Sequence, residues 1–168
     1  MYRERFSHLP EYAFPRLRAL LDGHDYAGPH LNMTIGEPQH RFPLWIKDVL
    51  LEHFEGFNRY PANDGIEKLQ KSIVDWFYRR YGVKLSSDKN ILPVNGTREG
   101  LYNVSMALCP ERLRDRVPFV LIPNPFYQVY MISALSVNSE PLFISTDEKS
   151  GHLPDYLGLK AEILNTTS

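Results

Sequence analysis

The chain is short of almost every feature that marks a specialised class. A single cysteine, Cys109, stands among 168 residues. No internal disulfide can form from it, and its apolar, helix-like surroundings predict a buried, inert thiol in a reducing compartment. No uninterrupted apolar segment is long enough for a bilayer, and no apolar stretch follows the charged start Met1-Tyr2-Arg3-Glu4-Arg5-Phe6 as it would in a secretory signal. An excess of one charge is missing too. Lys+Arg 19 against Asp+Glu 20 leaves a net charge of -1, which offers no basic field for nucleic acid. These absences predict a soluble cytoplasmic protein without a nucleic-acid or membrane partner.

Several catalytic signatures are also lacking. There is no P-loop, no Gly-x-Gly-x-x-Gly after a strand, and no Gly-x-Ser-x-Gly elbow. The six histidines (His8, His24, His30, His40, His53 and His152) are scattered without cysteine or acidic partners at a ligand offset, so no metal is expected. Internal repeats and low-complexity segments are absent.

What is present is an alternating pattern. Apolar spacing predicts helices over residues 9–22 and 42–54, with Pro10 and Pro15 disfavouring an early start and the first few residues forming an extended arm. The clearest helix follows Asp64, an N-cap with Glu67 three residues on as a capping box; it carries Ile66, Leu69, Ile73, Trp76 and Phe77 as its stripe and ends at Gly82. Residues 31–35, 90–94, 117–122 and 141–144 read as strands, and residues 98–108, 127–135 and 155–164 as helices. Continuous apolar strands separated by helices imply an α/β fold: a mainly parallel sheet covered on both faces, in three αβα layers. The chain is long enough for one domain, or one domain plus a fragment.

Four motifs stand at element junctions. In Asn95-Gly96-Thr97-Arg98-Glu99-Gly100-Leu101, Gly96 permits close backbone approach, and Thr97 and Arg98 open a helix whose free N–H groups can hold a phosphate. An ordinary capped strand-to-helix turn fits the same residues. In Pro123-Asn124-Pro125-Phe126-Tyr127, two prolines frame an extended exit that aims Phe126 and Tyr127 at the carboxyl edge of the sheet, where an aromatic can stack on a flat heterocycle. Core filling by Tyr127, Tyr130 and Met131 is the other reading. Tyr60, in Arg59-Tyr60-Pro61-Ala62-Asn63-Asp64-Gly65, can offer its hydroxyl to a phosphate or simply belong to a turn. Gly36, in Ile35-Gly36-Glu37-Pro38, can let a substrate pass the backbone or simply turn the chain.

In this order, the four pieces resemble the class I/II, fold type I pyridoxal-phosphate aminotransferases, and within them the N-succinyldiaminopimelate aminotransferases of lysine biosynthesis. The match runs from about residue 9 to about residue 154. The resemblance implies pyridoxal 5′-phosphate as cofactor, with Thr97 and Arg98 on its phosphate, Gly96 shaping the turn and Tyr127 stacked on its ring. It implies that Tyr60 reaches the cofactor of the partner subunit in a homodimer, and that Gly36 lies against the substrate. The implied substrates are an amino acid and a 2-oxo acid, with glutamate as donor and N-succinyl-2-amino-6-oxopimelate as acceptor. It further implies that residues 1–45 are an N-terminal arm and small-domain segment and that residues 46–168 are the first half of the cofactor-binding large domain.

No catalytic residue is assigned. The family's Schiff-base lysine, the aspartate on the pyridine nitrogen and the arginine for the substrate carboxylate match no position here. Lys89, in Ser86-Ser87-Asp88-Lys89, precedes the phosphate turn and reads as a surface lysine. The expectation is therefore an N-terminal portion that is inactive alone. Two other expectations remain open: a non-catalytic binding or dimerisation fragment, and a lyase of the same fold.

Overall fold

The computed structural model describes residues 7, 9–25 and 27–168. The arm expected over the first residues lies outside them. Two compact units are present, Tyr12–Pro93 and a second whose body is Val94–Ser168.

Among its described residues, Tyr12–Pro93 holds three α-helices and one 3₁₀ segment. Helix α1 (Ala13–Leu21) begins three residues beyond Pro10 and tolerates Pro15 because that position falls in its first turn, where an N–H has no helical partner. Helix α2 (Trp45–Glu52) runs into a 3₁₀ segment, Phe54–Asn58. Helix α3 (Glu67–Tyr81) ends where expected: Gly82 takes the left-handed conformation (φ 68°) and its N–H bonds the Tyr78 carbonyl, with Arg79 and Arg80 in the last turn.

The start of α3 differs from the expected capping box. Gly65 adopts φ 80° and interrupts the chain between Asp64 and the helix, so Ile66 is the N-cap and no side chain caps it. Instead the buried Gln70 turns back, its amide donating to the Asp64 carbonyl at 2.7 Å. Gly65 also approaches Pro93 closely: a Cβ there would lie 2.7 Å from the proline Cγ.

Neither strand expected in this part of the chain forms. In residues 31–35 the Asn32 side chain accepts from both the backbone N–H (3.1 Å) and the hydroxyl (2.6 Å) of Thr34, a local bond that competes with any ladder. Among the described residues, residues 90–94 have no strand pairing, and Asn90 accepts instead from the Ser86 N–H at 2.9 Å.

The second unit holds the sheet. Strand β1 (Phe119–Asn124) pairs in parallel with β2 (Glu140–Ser145), in register from Phe119 opposite Glu140 to Asn124 opposite Ser145. Helix α4 (Thr97–Leu108) precedes β1, and α5 (Gln128–Ser136) makes the crossover between the strands. Helix α5 packs on both strands and on α4. Ser105 of α4 donates to the buried Ser133 of α5 at 3.0 Å, and Ser133 donates in turn to the Tyr130 carbonyl at 2.9 Å. Among the described residues, Ile122, Ala134 and Ile144 are the buried hydrophobic residues of this unit, and the register, which pairs Ile122 with Phe143 and Ile144 with Pro123, sets the two isoleucines on opposite faces of the sheet.

On its other edge β1 meets the last residues. The Phe119 N–H bonds the Thr166 carbonyl (2.9 Å) and the Ser168 N–H bonds the Phe119 carbonyl (3.0 Å), a parallel bridge opposite Thr167. Pro118 and Asn124 face the other way, their carbonyls accepting from Glu140 (2.9 Å) and Thr146 (3.1 Å).

Two expectations shrink here. The helix predicted over residues 155–164 is reduced to α6 (Ala161–Leu164), because Asp155 takes the Gly158 N–H at 2.9 Å in a local turn. Cys109 is half-buried rather than buried; it receives a hydroxyl contact from Ser168 at 3.4 Å. Among the described residues no helix is long and apolar enough to cross a membrane, and no group of three or more His, Cys, Asp or Glu could hold a metal ion.

Candidate functional site

The site assembles at the junction before α4 and the junction after β1. Gly96, the N-cap of α4, has φ 116° and ψ 153°, a backbone state that strains an L side chain, and a Cβ built there meets nothing within 4 Å. The helix that follows has twelve residues and no side-chain cap on its N-terminus. The positive end of its dipole lies at this turn, beside the open space at Gly96. Thr97 and Arg98 are the first two residues of the helix, and both are exposed.

Glu99 braces the turn from the third helical position: its carboxylate accepts the Asn95 N–H at 3.0 Å. Sequence reading missed this brace, although an acidic residue in the first helical turn was its signal. Gly100 is less constrained, since a Cβ there would rest 3.5 Å from Val94 Cγ2, an ordinary contact.

Tyr127 is the N-cap of α5, three residues beyond the end of β1. The Asn124–Pro125 peptide between them is cis. β1 itself continues through Pro123 to Asn124, two residues further than the sequence predicts. Phe126 packs against Phe143 of β2, ring centroids 4.7 Å apart, so of the two adjacent aromatics one is tied to the strands. The Tyr127 ring, 40% exposed, meets Tyr130 edge-on at 5.9 Å and 89°.

The decisive contact joins the two junctions. Arg98 donates its Nε–H to the Tyr127 hydroxyl at 2.5 Å, and its guanidinium carbon lies 5.7 Å from the centre of the tyrosine ring. The turn at Gly96 and the aromatic after β1 are therefore brought together. A partnership 29 residues long in sequence has no periodicity to announce it.

The other two expected site residues belong to Tyr12–Pro93. Tyr60 is fully exposed in the loop after the 3₁₀ segment. Gly36 lies in an exposed irregular stretch, where an added Cβ would have open space for at least 4 Å around it. Lys89 is exposed in a turn.

This arrangement has the donor set a phosphorylated planar ring requires: a glycine-opened helix N-terminus with an arginine, and an aromatic face beside it. The family description "aminotransferase class I and II" matches residues 29–166. The chain belongs to the class I and II aminotransferases. The LL-diaminopimelate aminotransferase of Dehalococcoides mccartyi is 27% identical over 165 residues, 96% of this chain and 41% of that protein. The LL-diaminopimelate aminotransferase of Natranaerobius thermophilus is 31% identical over 154 residues, 90% of this chain and 39% of that protein. Among solved structures, an aminotransferase from Neisseria meningitidis superposes with a TM-score of 0.87 at 28% identity, covering 98% of this chain and 42% of the other. The chain thus spans about two fifths of the length of the relatives it matches. Its small parallel sheet with flanking helices is an incomplete αβα aminotransferase domain, and the cofactor of this family is pyridoxal 5′-phosphate.

Proposed function

We propose that this chain carries the cofactor-phosphate and ring-stacking half of a transaminase active site. The observation that carries the reading is the Arg98–Tyr127 contact, which unites the open N-terminus of α4 with the aromatic after β1. Gly96, Thr97 and Arg98 hold the phosphate of pyridoxal 5′-phosphate; Tyr127 lies on its ring. When bound, the cofactor supplies an electron-accepting ring that makes the amino donor's α-proton labile. The residues of this chain bind and orient it. Tyr60 extends to the phosphate held by a partner subunit in a homodimer, an assignment supported by its full exposure. Gly36 borders the substrate. In the whole protein, residues 1–45 belong to the arm and small domain, and residues 46–168 to the large domain. The compartment is the cytoplasm.

The whole protein transfers an amino group between glutamate and a keto acid of the diaminopimelate series. The motifs favour the N-succinylated acceptor, N-succinyl-2-amino-6-oxopimelate. The relatives' names point instead to unmodified LL-diaminopimelate. The corresponding acceptors are 6-oxo acids: the succinylated one carries an amide and a third carboxylate where the unmodified 2-amino-6-oxopimelate, the oxo counterpart of LL-diaminopimelate, carries a charged amine, so one assay separates them. The protein expressed from its own gene is loaded with cofactor and given glutamate with each acceptor in turn. Turnover with the succinylated acceptor at least tenfold faster supports the narrower reading; preference for the unmodified compound replaces it. Failure to bind pyridoxal 5′-phosphate, read from its absorbance after gel filtration, overturns the transaminase reading.

A further inference from the structure

We infer that Arg98 is a positioning residue for Tyr127, holding the stacking ring in place as well as lending charge to the phosphate turn. The inference rests on the cofactor reading above. Tyr127 is the N-cap of α5 and is only partly covered, so its ring needs side-chain contacts to stay in one orientation. Two contacts are present. Tyr130 meets one edge of the ring, and the Arg98 Nε–H fixes the hydroxyl at the far end. A guanidinium bonded through Nε lies in a set plane relative to the phenol, which a flexible ammonium does not reproduce.

The support beneath this pair is rigid. Glu99 braces the turn that presents Arg98, and the Ser105–Ser133 hydrogen bond ties α4 to α5 two turns further along. Arg98 and Tyr127 are thus carried on two helices already locked together, the condition for a preorganised binding surface. An arginine that served the phosphate alone would leave ring binding untouched when its charge is retained in another form. An arginine that positions the ring would not.

The test uses two probes without an aldehyde, pyridoxine 5′-phosphate and pyridoxine, titrated by tyrosine fluorescence quenching on the protein expressed from its own gene. Arg98→Lys keeps the charge and loses the planar donor. Tyr127→Phe keeps the ring and loses the hydroxyl. Each should weaken pyridoxine, which has no phosphate, by about fivefold to tenfold, the loss expected for one ordinary hydrogen bond. The double variant should be no weaker than the weaker single variant. In the ligand-free protein, the ¹⁵N-detected Arg98 Nε–H signal should exchange slowly with solvent and lose that protection in Tyr127→Phe. Unchanged pyridoxine binding in Arg98→Lys, or additive losses in the double variant, overturns the inference while leaving the cofactor reading intact. If the unaltered protein retains the protected Nε–H signal but binds neither probe, the cofactor reading fails and the inference falls with it.

Discussion

In Tyr12–Pro93, Leu44 is 81% exposed and Phe57 72%; in Val94–Ser168, Ile122 is 1% exposed and Ala134 0%. Both regions contain amphipathic helices written in similar residues, but the interior belongs almost wholly to the second. Among the described residues of Tyr12–Pro93, Gln70 is the one buried side chain, and it is polar. The helices there stand on local devices: the Gly82 C-cap, the Gln70 bond to Asp64, and the Trp76–Phe77–Tyr81 aromatic cluster with centroids 5.2–5.8 Å apart. In Val94–Ser168, parallel pairing brings residues distant in sequence together, and α5 closes over them. Helical spacing announces a face to be covered; the cover itself depends on partners far along the chain.

The sharpest way to break this contrast is to attack its best-buried residue. Ile122→Ala should lower stability by about 3 kcal/mol, because a side chain only 1% exposed leaves a cavity in the interior at β1. Urea unfolding followed by circular dichroism measures it, and a loss under about 1 kcal/mol would contradict an interior centred there. Next comes Gly65→Ala, which combines a positive φ with a 2.7 Å approach to Pro93. A cost of about 2 kcal/mol is expected, registered as a lower unfolding midpoint of Tyr12–Pro93 helices.

Smaller still is Leu44→Ala on the exposed apolar face beside α2, where the change should stay within about 0.5 kcal/mol. A loss comparable to Ile122→Ala would mean that this face is covered in solution, and the contrast would dissolve. The least effect belongs to the exposed ion pair of Lys71 with Glu67, 2.6 Å apart one turn along α3. The Lys71 hydrogen bond, and then its charge, hold the Glu67 carboxyl below the usual carboxylate range. Its folded pKa is depressed, so the pair's contribution is present at neutral pH and is lost as pH falls through the lowered value. Lys71→Ala should erase that acid-side change in α3 helicity and leave neutral-pH stability nearly unaltered; a large loss at neutral pH would show a role beyond an exposed pair.

Much of this was legible in the residues themselves, where local chemistry decides. Helix α3 and its glycine stop, α4 after Gly96, and the strand–helix–strand run around Tyr127 all follow from spacing and punctuation. The failures share one cause. Residues 31–35 and 90–94 have the composition of strands, but a strand exists only where a neighbour supplies the ladder, and Asn32 and Asn90 spend their side chains on local bonds instead. The Asp64 cap failed because Gly65 turned the chain away from the helix axis. At the site, Gly96, Thr97, Arg98 and Tyr127 were visible as motif residues. Their union was not, since the Arg98–Tyr127 bond is a product of how α4 and α5 pack.

Pro123 gains meaning from the two-sided bonding of β1. Alternate residues of the strand serve alternate neighbours: Pro118 and Asn124 face β2, and Phe119 faces the residues around Thr167. Pro123 shares the parity of Phe119, so its missing donor interrupts nothing in the β1–β2 ladder. On the Thr167 flank Pro123 therefore offers only its carbonyl, one bond fewer than the pair Phe119 makes there. A neighbour on that flank is thus held more weakly at the end of β1 that leads into Asn124, Pro125 and Tyr127 than at Phe119.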